Sequence, residues 1–175
     1  LRLAKFNVVR LRTMSGGSSS KRTKRECPEM TMRHNNLSVS DVQEAISQSA
    51  FHQLYNPEVL EVDNEKAMLR LRVSMCDTFE RQPGTGQWHG GILASLVDIA
   101  ACYALLLVAE GPVLTLNFNT NFLRLTVSQN LIVTAKVSRV GRTVSFIDVD
   151  IIDDANQTVV TGNACYTIRP EKTLL

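Results

Sequence analysis

Little in this sequence could build a metal centre or a disulfide scaffold. The four cysteines, Cys27, Cys76, Cys102 and Cys165, stand 49, 26 and 63 positions apart. They form no CxxC pair and have no histidine cluster beside them, a pattern that points to a reduced compartment and away from a zinc ribbon. His34, His52 and His89 are scattered as well, so a metal site would need ligands assembled entirely by the fold. Acidic residues are missing from the first 25 positions, which carry Arg2, Lys5, Arg10, Arg12, Lys21, Arg22, Lys24 and Arg25. The remaining residues hold eleven bases against all seventeen acids, a net of −6. An acidic body argues against a nucleic-acid groove.

The basic, acid-free opening has the composition of a mitochondrial transit peptide. A disordered tail, or upstream residues ahead of a start at Met14, reads it equally well. The expected location is mitochondrial in the first case and cytoplasmic otherwise. Residues 1–37 are expected to form this tail and residues 38–170 a single domain, the chain being of ordinary one-domain length.

Charge is also nearly absent from residues 91–109, GILASLVDIAACYALLLVA, where Asp98 stands alone. The run is long enough to cross a bilayer. A central aspartate, costing roughly 2.5–3.5 kcal/mol to insert, and the frequent small residues argue against an integral membrane span. An unpaired carboxylate in apolar surroundings is costly or is forced to hold its proton. Asp98 is therefore either a hydrogen-bonded core residue or a functional one.

Around this run the pattern predicts a helix over 38–54, a hairpin with strands near 59–62 and 67–74, and a loop over 75–87. A long buried helix follows from Gly90 to about Val108. VLTLNFNTNFL then alternates, with Leu114, Leu116, Phe118 and Phe122 on one face and Thr115, Asn117, Asn119 and Asn121 on the other. LIVTAKVSRV, RTVSFIDVDII and TVVTGNACYTI supply three further strands, joined at Gly141 and at DDANQ. The fold class expected is α+β, an antiparallel sheet curled around the central helix with meander pairing among the last strands.

Directly before the helix stands WHGG. Gly90 and Gly91 would let a ligand approach backbone amides that carry the positive end of the helix dipole, an oxyanion-hole arrangement. The same glycines would also serve merely to bring a tight loop into a crowded helix. His89 and Asp98 are nine residues apart, roughly 12–13 Å along an α-helix, so one subunit could not bring both to one small group.

HGGILASLVDIAACYAL resembles the signature of the hotdog-fold thioesterases of the PaaI-like type, in which HGG is followed by Asp nine positions after His. VLTLNFNTNFLR and VSRVGRTVSF are similar to a later strand and a Gly-Arg hairpin of that family, and the similarity covers about residues 57–169. The resemblance implies a hotdog fold whose subunits join edge to edge as a homodimer, with sites across the interface and dimers commonly pairing into a homotetramer. It implies hydrolysis of acyl-CoA to free acid and CoA, without metal or organic cofactor. His89 and the Gly90 amide of one chain would hold the thioester carbonyl. Asp98 of the other would act as general base or nucleophile, oriented by Thr115. Gly91, Asn119 and Asn121 are candidates for the pantetheine path, and Arg124 and Arg142 for the CoA phosphates.

The chain departs from the family at Pro83, where many relatives place Asn; Gln82 or Gln87 could substitute. The GTGQWHGG form also resembles mitochondrial thioesterase-superfamily members, which lack that Asn. Two other functions stay open. One is an acyl-CoA-binding hotdog protein without turnover, which the missing Asn favours. The other is a hotdog hydratase, which would want His five residues after Asp98, where this chain has Tyr103.

Overall fold

A computed structural model of the chain describes residues 34–109 and 111–168. The basic segment read as transit peptide or tail lies outside the described residues.

The first helix, α1 (Val39–Ser47), starts with a reciprocal cap. The Ser38 hydroxyl accepts from the Asp41 amide, and the Asp41 carboxylate accepts from the Ser38 amide. Val42 and Ile46 are its buried residues. The single helix expected over 38–54 is in fact two. The Ser49 hydroxyl takes the His52 amide and starts the short α2 (Ala50–Gln53). A hydroxyl that satisfies a backbone donor competes with continuation of the helix.

The hairpin β1 (Glu58–Asp63) and β2 (Met68–Ser74) buries Leu69, Leu71 and Val73. Arg70 and Arg72 point the other way and pair with Glu61 and Glu58. A 3-10 turn at Asp77–Phe79 and a loop lead to α3 (Gly90–Leu106), and then to β3 (Val113–Phe122), β4 (Asn130–Arg139), β5 (Ser145–Asp153) and β6 (Thr158–Ile168). All neighbours in the resulting six-stranded sheet are antiparallel, in the order β1-β2-β4-β5-β6-β3. β4, β5 and β6 form the expected meander. β3 does not pair with the strand that follows it; it crosses to the far edge beside β6.

α3 lies against one face of this sheet and meets five strands, β2 to β6. Its buried side includes Leu93, Leu96, Val97 and Ala100. The wrapping is incomplete, however. Gly91, Ser95, Asp98, Cys102 and Leu106, spaced three or four apart, form a stripe that stays exposed or half-buried. The far end of α3 is closed by Asn35, whose side-chain amide donates to the carbonyls of Leu106 and Ala109 at 2.7 and 2.8 Å. No helix among the described residues is long and apolar enough to cross a membrane.

β3 differs from the expected alternation in one respect that matters for the site. Thr115 pairs with Tyr166 and Asn117 with Cys165, so Leu116 is an extra residue, a β-bulge. Cross-strand partners share a face. Thr115, Phe118, Thr120 and Phe122 therefore stand opposite Tyr166, Ala164, Gly162 and Val160, on the side facing α3. Leu114, Asn117, Asn119 and Asn121 are on the outer side, and the bulge separates Leu114 from the phenylalanines with which plain alternation groups it.

Two positions test this packing. A Cβ on Gly162 would lie 2.7 Å from the Val97 Cγ1 and 2.9 Å from the Asn119 carbonyl oxygen. Gly162→Ala should destabilise the fold by about 1–3 kcal/mol, read as a lower midpoint in denaturant unfolding. Asp154 ties the β5–β6 turn to the start of β4 by accepting from the amides of Gln129 and Asn130 and from the Ser128 hydroxyl. These bonds, the Asn130 amide foremost, hold its carboxyl below the usual carboxylate range. A pKa lowered by folding stabilises the fold above the unfolded value, about 3.9, and that contribution is lost as pH falls through the folded value. Asp154→Ala should melt earlier than the parent at neutral pH, with the gap narrowing as the pH is taken below the usual carboxylate range.

Candidate active site

The loop before α3 is rigidly built. Gly84 and Gly86 both take positive φ, +75° and +64°, conformations that a side chain would strain. Their amides point at the Glu80 carboxylate, which accepts from Gly86 at 2.7 Å and also from Gly84. Trp88 closes the loop, its ring buried against Phe79 and its indole N–H donating to the Ser128 carbonyl at 2.9 Å. Pro83 and Gln82 are exposed at the loop tip and Gln87 is half-buried in the loop's return arm.

This loop delivers His89 as the N-cap of α3. Its Nδ1 accepts from the Gly91 N–H at 2.9 Å, which puts the proton of a neutral imidazole on the exposed Nε2. The Gly91 amide is thereby used up. The Gly90 N–H has no protein acceptor among the described residues and is the donor left free at this helix start. The end of β3 reaches the same place, with the Phe122 ring 3.6 Å from where a Gly90 Cβ would be.

Asp98 is eight residues beyond Gly90 in the same helix, about 12 Å along the axis. One subunit therefore keeps the two apart, as the spacing predicts. Asp98 is half-buried on the open stripe of α3, and its Oδ1 accepts from the Thr115 hydroxyl at 3.0 Å. A second donor escaped the sequence reading. The Tyr166 hydroxyl, from β6, lies 2.6 Å from the same Oδ1 and 2.8 Å from the Asp98 carbonyl oxygen. A signal for it existed: Val160, Gly162, Ala164 and Tyr166 share one parity on an alternating strand, and an inward Tyr needs a partner for its hydroxyl. Burial, followed by the neighbouring Asp98, pushes the Tyr166 phenol far above its ordinary range.

Other groups near Asp98 are chemically quiet. Burial, with the Asp98 charge second, pushes the Cys102 thiol up to about 11, so it stays protonated near neutrality. Tyr103, where a hydratase would want His, turns away from Asp98. Its hydroxyl donates to the Ala45 carbonyl at 3.1 Å and receives the His52 Nδ1 proton at 2.9 Å. Burial lowers the His52 pKa, opposed by the Asp98 charge, and raises that of Tyr103 to about 12.

The remaining candidates are dispersed within one subunit. Asn119 and Asn121 are on the outer side of β3, away from Asp98, with the Asn121 amide reaching the Thr161 hydroxyl at 3.5 Å. Exposed Arg124 follows β3 at the Gly90 end and donates to Gln157 at the start of β6. Exposed Arg142 lies in the β4–β5 turn, three residues before Ser145, which pairs with Tyr166 at the other end of β6. No group of three or more His, Cys, Asp or Glu among the described residues is arranged to hold a metal ion.

Residues 85–160, from the glycine loop into β6, match the family described as the thioesterase superfamily. Over those residues the chain is similar to the thioesterase superfamily. Its six antiparallel strands around one long helix are the hotdog fold, matching solved members of that superfamily. A Halobacterium salinarum protein that bears a provisional esterase name is 32% identical over 99 residues, 54% of this chain. The chain spans 65% of that protein's length. Among solved structures, a Haemophilus influenzae thioesterase superposes with a TM-score of 0.70 at 18% identity, over 79% of this chain and 94% of its own. The E. coli PaaI protein of the phenylacetic acid degradation operon superposes with a TM-score of 0.63 at 19% identity, over 76% and 97%. At these identities the two structures speak for the shared fold.

The Glu80 clamp on the glycine loop is testable apart from any activity. Glu80→Ala should leave the sheet intact and speed hydrogen exchange at the Gly84 and Gly86 amides by about tenfold, the value of one hydrogen bond to a charged group.

Proposed function

We propose that the protein is an acyl-CoA thioesterase working as a homodimer, and the observation that carries this is the Asp98 carboxylate. It is held by two hydroxyls through one oxygen and lies on the open stripe of the central helix. The edge strand β3 is unpaired on its outer side, and Leu116 and Phe122 on it are 54% and 53% exposed. A second copy pairing antiparallel along this edge, about a two-fold axis, would bury them.

That pairing would also bring the separated groups together. The Thr115 end of β3 carries Asp98 and the Phe122 end carries Gly90. Antiparallel association sets the Thr115 end of one subunit beside the Phe122 end of the other. Asp98 would then face the Gly90 N–H and His89 of the partner subunit. Arg142 would share that end with Arg124 of the partner subunit, which suits two guanidiniums to the phosphates of one CoA.

In the proposed reaction the thioester carbonyl oxygen accepts from the free Gly90 amide at the positive end of α3, with the His89 Nε2 proton as a second donor. Asp98 takes a proton from water as the water oxygen bonds to the carbonyl carbon. Collapse of the tetrahedral intermediate breaks the C–S bond, and the leaving sulfur takes that proton, giving free acid and CoA. Direct attack by Asp98, with later hydrolysis of the mixed anhydride, uses the same groups. No cofactor is required by either route. A second reading, binding of acyl-CoA without turnover, is favoured by Pro83 at the exposed loop tip, a residue that itself offers no amide.

Free-thiol release from short, aromatic and long acyl-CoAs separates the two. The parent should turn over part of the panel, and Asp98→Asn, folded and dimeric as the parent, should lose about a hundredfold in kcat. Acyl-CoA binding by both proteins without thiol release would replace the enzyme reading by the binding one.

A further inference from the structure

Asp98 is bonded unevenly. Both hydroxyl donors, Thr115 at 3.0 Å and Tyr166 at 2.6 Å, converge on Oδ1. Oδ2 has no hydrogen-bond partner among the described residues, and Asp98 takes part in none of their ion pairs. The two oxygens are therefore chemically different. Oδ1 is occupied, and Oδ2 is available to whatever enters along the open stripe of α3.

Tyr166 is more than a filler of the core. It is 1% exposed, and its hydroxyl already has an adequate acceptor in the Asp98 main-chain carbonyl at 2.8 Å. The shorter contact nevertheless goes to the carboxylate. Because Tyr166 belongs to β6 and Asp98 to α3, the pair of contacts braces side chain and main chain of Asp98 against the sheet together. Facing two acceptor oxygens, a carboxylate and a carbonyl, the Tyr166 hydroxyl acts as a donor.

We propose that Tyr166 is a positioning residue that, with Thr115, saturates Oδ1 of Asp98 and leaves Oδ2 as the oxygen that meets water or the thioester carbon. The inference rests on the reading of Asp98 as the reacting carboxylate. Without the Tyr166 hydroxyl the carboxylate keeps one donor, gains freedom to rotate about its Cα–Cβ and Cβ–Cγ bonds, and loses part of what stabilises its ionised form.

Other titratable groups face this carboxylate or influence it from elements packed nearby. They are Cys102 one turn along α3 and, at longer range, His52 of α2 through its bond to Tyr103. Thr115, on β3, does not titrate. A change in pH profile on altering Tyr166 is therefore to be compared with Cys102→Ala and His52→Gln, which leave the Tyr166 contact in place and should not reproduce it.

The test is Tyr166→Phe, which removes one oxygen and keeps the ring. Its kcat on the best thioester should fall by about tenfold to a hundredfold, the range for a hydrogen bond to a charged group. KM should stay within about twofold. The acid limb of the kcat/KM profile should move to higher pH, because the ionised carboxylate has lost a donor. As a variant that retains the hydroxyl, 3-fluorotyrosine at position 166 offers a more acidic phenol and should move that limb the other way. Should Tyr166→Phe fold poorly, the fluorinated protein carries the test alone. Unchanged kcat and pH profiles in an active parent background would overturn the role of Tyr166 and leave the thioesterase reading standing. A parent that hydrolyses no thioester would overturn the thioesterase reading, and the proposed role would fall with it.

Discussion

Placing a carboxylate on an apolar helix costs solvation, and here two hydroxyls from neighbouring strands supply part of what water would have given. Thr115 and Tyr166 belong to β3 and β6, the pair at one edge of the sheet, and they can reach Asp98 only if both strands present the right side chain to the helix. Much of the architecture serves that condition. The Leu116 bulge turns Thr115 inward on the same face as Phe118 and Phe122. The missing side chain at Gly162 lets β6 lie close to Val97 of α3. A buried polar contact of this kind is costly when half made and rigid when complete.

The two ends of α3 have separate chemistry. At its start, a loop shaped by two positive-φ glycines and clamped by Glu80 presents His89 and one unused amide donor. Two turns along, Asp98 presents an acceptor. A donor site and an acceptor site about 12 Å apart cannot act on one carbonyl. The same edge strand that leaves apolar side chains uncovered runs between the two sites, so one interface would cover the strand and join the halves.

Much of this is legible in the sequence. The hairpins follow from period-two alternation, and the central helix from an apolar run without strand breakers. Asp98 marks itself by being the one charge in that run. The candidate residues that follow a local motif, His89, Gly90 and Gly91, lie at the start of the central helix, where their spacing places them. What the sequence conceals is non-local or depends on a single extra residue. The break between α1 and α2 turns on one serine hydroxyl taking one amide. The bulge at Leu116 inserts a residue without any Gly or Pro to announce it, and so it changes which side chains of β3 face the helix. Tyr166 looks like an ordinary strand aromatic until the register brings it 2.6 Å from a carboxylate 68 positions earlier. Asn119 and Asn121 show the converse, a polar pattern that draws attention but faces away from the helix.

The crossover of β3 has a consequence for how the chain folds. Its partner in the sheet is not its neighbour in sequence but β6, so Thr115 waits for a strand that begins more than forty residues later. Hairpins such as β4–β5 can close from local contacts, whereas the β3–β6 pairing must first meet the entropy of a long loop. During synthesis the helix and its lone acid emerge well before the two hydroxyls that hold the acid can both be in place. The candidate site is therefore assembled late, and the edge strand that would recruit a second subunit is fixed in the same step.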